Sequence, residues 1–393
     1  MSLKIEFVER ASKRGINMSA LCREYGISRE TGHKWLRRFK AGSYDALEEK
    51  SRRPTSTPAA TGEEVVMAVL TAREAHPRWG PKKLLEIVRR RLGEDTPSRA
   101  TIARILRRFG MVRSRRHRAQ LSIVERAPTV DAKACNEVWS VDFKGWWLAH
   151  DRSRSEPLTV RDAFSRFVLS TKLLEAKTIE LTRSEFERLF RRYGVPDAIQ
   201  CDNGEPFICT QSRGGLTRLS AWWISLGIRI VRSRPACPQD NGGHERMHRD
   251  ISDDVQSSPR LNRIQEQRAL DRWRQEFNHV RPHEALDGKT PAELYEPGKR
   301  RSLRAVRWTY PDGWLVKRVY GPNGLFAHHA EEIPVGRAFV GHHVALEPRS
   351  DLTMRMWFHD IDLGDAKLPL ATALVDAACV KFMKGTTRRK KAA

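Results

Sequence analysis

The chain has 393 residues, of which 39% are hydrophobic and 31% charged, a composition typical of a globular protein of two to four domains. It carries 72 Lys and Arg against 48 Asp and Glu, a formal net charge of +24. Such an excess favours a polyanionic partner, most often nucleic acid, because cationic side chains that contact phosphates release condensed counterions. The alternative is a protein that is basic without binding nucleic acid.

Several protein classes are excluded. No two cysteines form a C-x-x-C pair, which argues against a disulfide scaffold and a zinc ribbon; the cysteines are Cys22, Cys135, Cys201, Cys209, Cys237 and Cys379. The first residues, MSLKIEFVERASKRG, are charged throughout and do not resemble a secretory signal. No run of about 18 apolar residues occurs, so we expect no membrane span. The sequence therefore predicts a cytoplasmic protein that meets DNA or RNA directly.

The first predicted domain, residues 1–50, is a helix-turn-helix DNA-binding module. Ser19 is the expected cap of a short helix, Gly26 supplies the turn, and Ser28 is the expected cap of a second helix. We expect four basic residues of the second helix to face DNA, namely Arg29, His33, Arg37 and Arg38. Gly32 weakens this interpretation, since glycine inside a helix costs about 1 kcal/mol relative to alanine. An ordinary helical hairpin is the alternative.

A Pro/Ser/Thr-rich stretch, 51–61, predicts a linker, and residues 62–120 predict a second helix-turn-helix or winged-helix module. The region 63–91 is helical in pattern, with a break at 76–81. Ser98 then caps a helix whose apolar stripe is Ile102, Ile105, Leu106 and Phe109. Four arginines flank this stripe and are candidate DNA contacts, namely Arg99, Arg104, Arg107 and Arg108. Residues 1–130 carry a net charge of +15 and the remaining 263 residues only +9, so we expect the front third to be the electrostatic anchor.

From about 130 to 300 the pattern changes to three sequential strands followed by alternating helices and strands. This order predicts a mixed α/β sheet with helices on both faces. Residues 301–365 alternate polar and apolar in five segments, namely AVRWTY, GWLVKRVY, LFAHHAEEI, AFVGHHVAL and MRMWFHDIDL. They predict a small antiparallel β-barrel or sandwich, followed by a basic tail at 366–393.

Three acidic residues lie at positions where their carboxylates could bind metal ions. Asp142 lies within a predicted strand, Asp202 ends another just before Asn203-Gly204, and Glu245 falls in the first turn of a helix. Two strand carboxylates and one helix carboxylate could converge on two Mg²⁺ or Mn²⁺ ions, whose preferred ligands are oxygens. Alternatively, the three acids have structural roles only. Asp142 would then pair with a basic residue such as Arg161, and the other two acids would cap turns or helices.

Four segments resemble, in order, the signatures of integrase-core transposases of bacterial insertion sequences, which belong to the DDE superfamily: VWSVDFKGWW, QCDNGEPF, SRPACPQDNGGHERMHRD and FNHVRPHEALDGKTPAELY. The resemblance implies a multidomain α/β protein with an RNase H-like catalytic core, in which Asp142, Asp202 and Glu245 are the metal-binding acids. It also implies end cleavage, joining of a 3′-hydroxyl to target DNA, and a homo-oligomeric synaptic complex. Arg246, Arg249 and Arg281 become candidate DNA contacts, and the expected location is the bacterial nucleoid.

The chain departs from that family's usual pattern in one spacing. Between Asp202 and Glu245 lie 42 residues, more than is usual, and we expect the extra length in the loop Cys209–Thr217. Retroviral-type integrases carry a His/Cys zinc module that this sequence lacks, so we predict no zinc. Two rival functions stay open, namely a non-catalytic, domesticated DNA-binding regulator and a structure-directed nuclease of the RNase H type.

Overall fold

The computed structural model describes residues 3–42, 44–49, 61–112, 131–234, 242–298, 302–328, 331–349 and 353–367. The predicted linker lies outside these ranges except for its last residue, as do Cys237 and nearly all of the predicted basic tail. The chain forms two compact units, residues 1–63 and 64–393. Within the described part, no helix is both long and apolar enough to cross a membrane.

In the described residues of the first unit, the α-helices are α1 (Leu3–Ala11), α2 (Met18–Glu24) and α3 (Arg29–Gly42). The turn before α3 contains Gly26 at a φ of +63°, as the sequence predicts. Ser28 accepts a hydrogen bond from the Thr31 amide, 3.1 Å, also as predicted. The predicted cap of α2 is wrong. Asn17 and not Ser19 caps this helix, because its side chain accepts hydrogen bonds from the amides of residues 19 and 20.

Gly32 lies where α3 crosses the helices before it. A Cβ at this position would lie 2.6 Å from the Cys22 sulfur and 2.8 Å from Cζ of Phe7. Both neighbours are buried and belong to the apolar core of this unit. The glycine therefore permits close helix packing, which outweighs the low helix propensity that counted against it in the sequence.

We expect Gly32→Ala to destabilise the first unit by about 1–3 kcal/mol through overpacking, although helix propensity alone predicts a gain. Hydrogen–deuterium exchange of α1–α3 in the full chain, followed at increasing urea, measures this change. Lys40→Ala on the exposed face of α3 is the control and should change little. An unchanged or raised midpoint for Gly32→Ala would show that the crossing is looser than described.

The second module contains α4 (Glu63–Ala75), α5 (Pro81–Leu92) and α6 (Arg99–Arg108). Ser98 caps α6 by accepting the Thr101 amide, 3.2 Å, and the predicted break at 76–81 separates α4 from α5. Ile102, Ile105 and Leu106 are buried as predicted. Phe109 is 47% exposed and not part of that stripe, because α6 ends before it.

The central sheet has five strands in the order β5–β4–β1–β6–β7. Its strands, in chain order with the short hairpin β2/β3 included, are β1 (Val138–Phe143), β2 (Trp147–Leu148), β3 (Arg154–Ser155), β4 (Pro157–Asp162), β5 (Val168–Leu173), β6 (Ala198–Cys201) and β7 (Arg229–Arg232). β1 runs antiparallel to β4 and parallel to β6. This is the mixed sheet that the sequence predicts.

Helices cover both faces of this sheet. They are α7 (Ile179–Tyr193), α8 (Arg218–Ser225), α9 (Gly242–Ile251), α10 (Arg263–His279) and α11 (Pro291–Leu294). α7 and α8 pack against the apolar face of β1 and β4, for example Phe186 and Trp223 in one core with Leu158. α9 and α10 contribute Met247 and Leu270 to a second core. The polar residues of β1 and β4 therefore face α9.

The C-terminal region has six described strands, β8 (Leu315–Arg318), β9 (Leu325–His328), β10 (Glu331–Pro334), β11 (His343–Pro348), β12 (Thr353–Phe358) and β13 (Ile361–Lys367). They form an open sheet, β13–β12–β11–β8, and a separate pair, β9–β10. The predicted closed barrel is therefore not confirmed. AVRWTY is not a strand, and LFAHHAEEI and MRMWFHDIDL each span two strands instead of one.

This C-terminal sheet packs against the loop in which we expect the family's extra residues. A Cβ on Gly214 would lie 3.0 Å from Leu363 and 3.1 Å from Ile361, both of β13. Arg213 donates hydrogen bonds to the carbonyls of Leu363 and Asp365, 3.1 and 3.3 Å. Ile224 of α8 shares the apolar core of the sheet. The loop 209–217 is therefore a contact between the core and the C-terminal sheet.

Candidate active site

The polar face of the central sheet brings two of the three predicted acids side by side. Ser140 of β1 pairs with Gln200 of β6, and the same parallel register carried two residues further places Asp142 beside Asp202. Asp202 lies just after β6 and is exposed, while Asp142 is half-buried. Asp202 accepts the Gly204 amide at 3.2 Å, so the turn after the strand holds its carboxylate.

The third acid, Glu245, lies exposed in the first turn of α9. One turn later, His248 connects this helix to the sheet. The Thr159 hydroxyl donates to the Asp142 carbonyl, 2.9 Å, and its oxygen lies 2.8 Å from Nε2 of His248. Because the hydroxyl proton is already donated, His248 acts as the donor in the second contact. These two bonds fix the helix that bears Glu245 to the strand that bears Asp142.

The imidazole of His248 makes this connection as a neutral group. Burial, together with the charges of Lys144 and Arg161, lowers its pKa to about 4. Nδ1 lies 3.9 Å from the Asp142 carboxylate, which is beyond hydrogen-bond distance. At neutral pH, His248 therefore holds α9 in place through its hydrogen bond to Thr159 and not through a charge interaction with Asp142.

The side chains of the three acids are not gathered tightly. Among the residues that the structure describes, no three Asp, Glu, His or Cys groups are placed to hold one metal ion. The donor set nevertheless fits a hard cation, since all three candidates offer carboxylate oxygens and two of them are exposed. The alternative pairing of Asp142 with Arg161 is not observed, because the Arg161 guanidinium forms no ion pair with a described residue.

The candidate DNA contacts fall into two groups. Arg38 is half-buried, and the remaining surface residues are exposed, namely Arg29, His33, Arg37, Arg99, Arg104, Arg107, Arg108, Arg246 and Arg249. Arg281 is different. It is only 5% exposed and forms ion pairs with Asp250 at 2.5 Å and Asp254 at 3.6 Å. The structure thus places Arg281 inside the core and not at a DNA-facing surface.

The segment FNHVRPHEALDGKTPAELY connects the second module to the core. Asn278 is buried and forms two hydrogen bonds with the backbone of Val168 in β5, 2.8 and 2.9 Å. Glu284 pairs with Lys82, and Glu293 lies 3.3 Å from Arg90, so α5 of the module lies against this segment. The segment therefore has a structural role, since it holds α10 to β5 and provides the surface on which α5 of the second module packs.

Two residues of the site were missed or misread in the sequence. Thr159 was not singled out, and Arg161 was considered only as a partner for Asp142. The alternation in PLTVRD contains the signal, because it places Thr159 and Arg161 on the face opposite Leu158 and Val160. Asp162, at the end of the same strand, is fully buried and accepts hydrogen bonds from Asn136 and Ser165, so it stabilises a turn.

The chain matches four protein-family models. Two describe an integrase core domain, over residues 132–238 and 226–291. A helix-turn-helix domain matches residues 3–55, and a homeodomain-like domain matches residues 31–106. The two integrase-core matches include all three candidate acids, and the other two cover the predicted DNA-binding modules.

Two curated relatives are insertion-element proteins. The chain is 27% identical to the IS407 protein of Burkholderia multivorans, over 72% of this chain and 91% of that protein. It is 24% identical to the IS476 protein of Xanthomonas euvesicatoria, over 72% and 79%. A solved structure, the HTLV-2 integrase catalytic core domain with magnesium, aligns at 19% identity and a TM-score of 0.34, over 42% of this chain and all of that one. The domain matches and the insertion-element relatives identify this chain as a DNA transposase of the bacterial insertion-sequence type, with an integrase catalytic core of the DDE superfamily.

Proposed function

We propose that this transposase binds the terminal inverted repeats of its element, cuts at the element ends and joins the freed 3′-hydroxyl to target DNA. Asp142, Asp202 and Glu245 are the proposed catalytic acids. The observation that carries the proposal is the parallel β1–β6 register, which, extended two residues beyond Ser140 and Gln200, brings Asp142 beside Asp202, with the helix of Glu245 fixed to β1 through Thr159 and His248. A phosphoryl transfer site needs such acids on rigid elements.

The three carboxylates are the residues that would hold divalent cations, and we propose two Mg²⁺ or Mn²⁺ ions. When bound, such ions supply Lewis-acid activation of the attacking oxygen and stabilise the leaving oxygen. The chain's own contribution is to hold the acids through the β1–β6 register and the turn at Gly204. Arg246 and Arg249 are the proposed contacts to DNA phosphates on α9, which is supported by their exposure.

Sequence-specific end binding is assigned to residues 1–120. This is supported by the two helix-turn-helix matches and by the exposed basic residues of α3 and α6. We further propose that the domains follow the divisions expected from the sequence, with modules at 1–50 and 62–120, the catalytic core at 130–300 and a β-rich domain at 301–365. Since joining both ends of an element needs two active sites, we propose a homo-oligomer on DNA.

The test uses the full chain, a labelled duplex with the element's end sequence, and a plasmid target. We expect Mg²⁺-dependent nicking of the duplex and covalent attachment of the label to the plasmid, with neither product in EDTA. Tight, specific binding without cutting in Mg²⁺ or Mn²⁺ would instead support the regulator. Cutting without joined product would support the RNase H-type nuclease.

The connection through Thr159 gives a prediction for the joining rate. Thr159→Val keeps the shape of the side chain but removes the hydroxyl, so the Nε2–H of His248 loses its acceptor. We expect single-turnover joining to fall about tenfold, with a loss of stability of about 1–2 kcal/mol. Thr171→Val is the matched control, because Thr171 is paired with Thr159 across the strands and its buried hydroxyl has no hydrogen-bond partner among the described residues. Equal joining rates in both variants would show that the connection does not position the acids.

A further inference from the structure

Arg161 is a cation on the face of the sheet that bears the acids, and it forms no ion pair with a residue that the structure describes. It is half-buried on β4, directly opposite Ser140, and so shares a face with Asp142. Its one hydrogen bond is from Nε to the Ser140 hydroxyl, 3.3 Å. Among the described residues, no carboxylate forms an ion pair with its guanidinium. The two terminal nitrogens of the guanidinium therefore keep their donors for another partner.

The guanidinium of Arg161 lies in poorly solvated surroundings, near a second arginine. Burial and the nearby Arg166 lower the pKa of Arg161 to about 10 against the opposing effect of the Asp162 carboxylate, and this leaves the group charged at neutral pH. His244 of α9 lies close by and is 1% exposed. A poorly solvated cation is costly to folding unless an anion compensates it. An anion that arrives with a ligand would remove that cost.

The first turn of α9 is built to admit the guanidinium. A Cβ on Gly243 would lie 2.1 Å from Nη2 of Arg161, so any larger residue there would displace the guanidinium from this position. The side chain therefore lies against the start of the helix, where the helix dipole and unpaired amides favour negative charge. A planar guanidinium beside a helix start is well suited to phosphate oxygens, which it can bind with two parallel hydrogen bonds.

We propose that Arg161, together with the first turn of α9, binds a backbone phosphate of the DNA strand that is cut or joined, and so positions that strand beside Asp142. This inference rests on the proposed function, because it assigns a contact within the same site. Arg161 is a positioning residue here and not a metal ligand. The phosphate belongs either to the element end or to the target, which share this chemistry.

The test compares Arg161→Met, Arg161→Lys and Gly243→Ala with wild type in the joining assay. We expect Arg161→Met to lower joining at least thirtyfold while its melting temperature without DNA stays unchanged or rises, because an uncompensated charge is removed. Lys should restore part of the activity, since it keeps the charge and loses the planar geometry. Gly243→Ala should also lower joining, since the new methyl group displaces the guanidinium. Lys172→Met, an exposed cation of β5, is the matched control and should join at the wild-type rate.

Salt dependence separates a phosphate contact from a structural role. For Arg161→Met, the slope of log(kcat/KM) against log salt should become shallower by about 0.9, the value for one lost phosphate contact on duplex DNA. The salt slope is measured first with varied target concentration and a fixed concentration of element end, and then with varied element end and fixed target. The series in which the slope changes shows which DNA supplies the phosphate. Three results for Arg161→Met would each overturn the inference. They are joining within threefold of wild type, a salt slope unchanged whether the target or the element end is varied, and a sharp fall in melting temperature. If wild type and Lys172→Met also fail to join, the proposed function fails instead.

Discussion

Asp202→Asn should reduce DNA joining at least a thousandfold, about 4 kcal/mol of lost transition-state stabilisation, while binding to the inverted repeat stays at the wild-type level. The substitution removes a negative charge and a proposed metal-ligand oxygen just after the end of β6. Because Asp202 is exposed and the amide oxygen of Asn can still accept the Gly204 amide, the fold should be unaffected. End binding is proposed to rest on residues 1–120, away from Asp202. Single-turnover joining and a gel-shift titration measure the two properties.

Glu205→Gln is the matched control, since this exposed acid lies three residues further along the same loop. It removes the same charge without removing a proposed ligand, and it should join within about twofold of wild type. Equal losses in Asp202→Asn and Glu205→Gln would indicate a general charge effect. Full activity in Asp202→Asn would remove Asp202 from the site.

Asp162→Asn should have the largest effect on stability, about 3–5 kcal/mol, although its carboxylate is proposed to have no part in catalysis. The fully buried carboxylate accepts the Asn136 amide at 2.8 Å and both the amide and the hydroxyl of Ser165 at 2.7 Å. In Asn, an NH₂ group replaces one carboxylate oxygen and faces an amide or hydroxyl that also donates, so a buried hydrogen bond is lost and its donor is left without an acceptor. The turn between β4 and β5 and the chain entering β1 both depend on these bonds.

Urea unfolding of the full chain measures this loss. Asp271→Asn on the exposed side of α10 is the control and should shift the unfolding free energy by no more than about 0.5 kcal/mol. A small loss for Asp162→Asn would show that the turn forms without its carboxylate. Because burial raises the pKa of Asp162, proton binding stabilises the folded wild type as the pH falls through that pKa, while Asn does not titrate; we therefore expect the loss to be larger at low pH.

Much of the fold follows from local sequence signals. The helix around Leu106 shows an apolar stripe with a serine cap, and the alternation in PLTVRD predicts a strand with one polar face. Errors occurred where local signals compete. Ser19 and Asn17 are both good caps, and only the backbone conformation at Asn17 decides between them. The regular alternation of the C-terminal segments predicts strands, but it contains no information on whether the sheet closes.

The three candidate acids were found through residue types and the resemblance of the surrounding motifs. Their relation to Thr159, His248 and Arg161 could not be found in this way, because those contacts join β4 to a helix some 80 residues later in the chain. The role of Gly243 likewise depends on a contact between residues that are distant in the sequence. In the sequence it is part of a turn signal, and only the packed structure shows that it makes space for a guanidinium.

The most direct test of the account is a change of metal specificity in Asp202→Cys. A thiolate is a poor ligand for Mg²⁺, a hard cation, and a better one for softer transition metals such as Mn²⁺. If Asp202 holds a catalytic cation, the variant should join DNA at least a hundredfold more slowly than wild type in Mg²⁺ and recover at least tenfold in Mn²⁺, while wild type joins in both. Equal activity of the variant in the two metals, whether high or absent, would contradict a metal-binding role for Asp202.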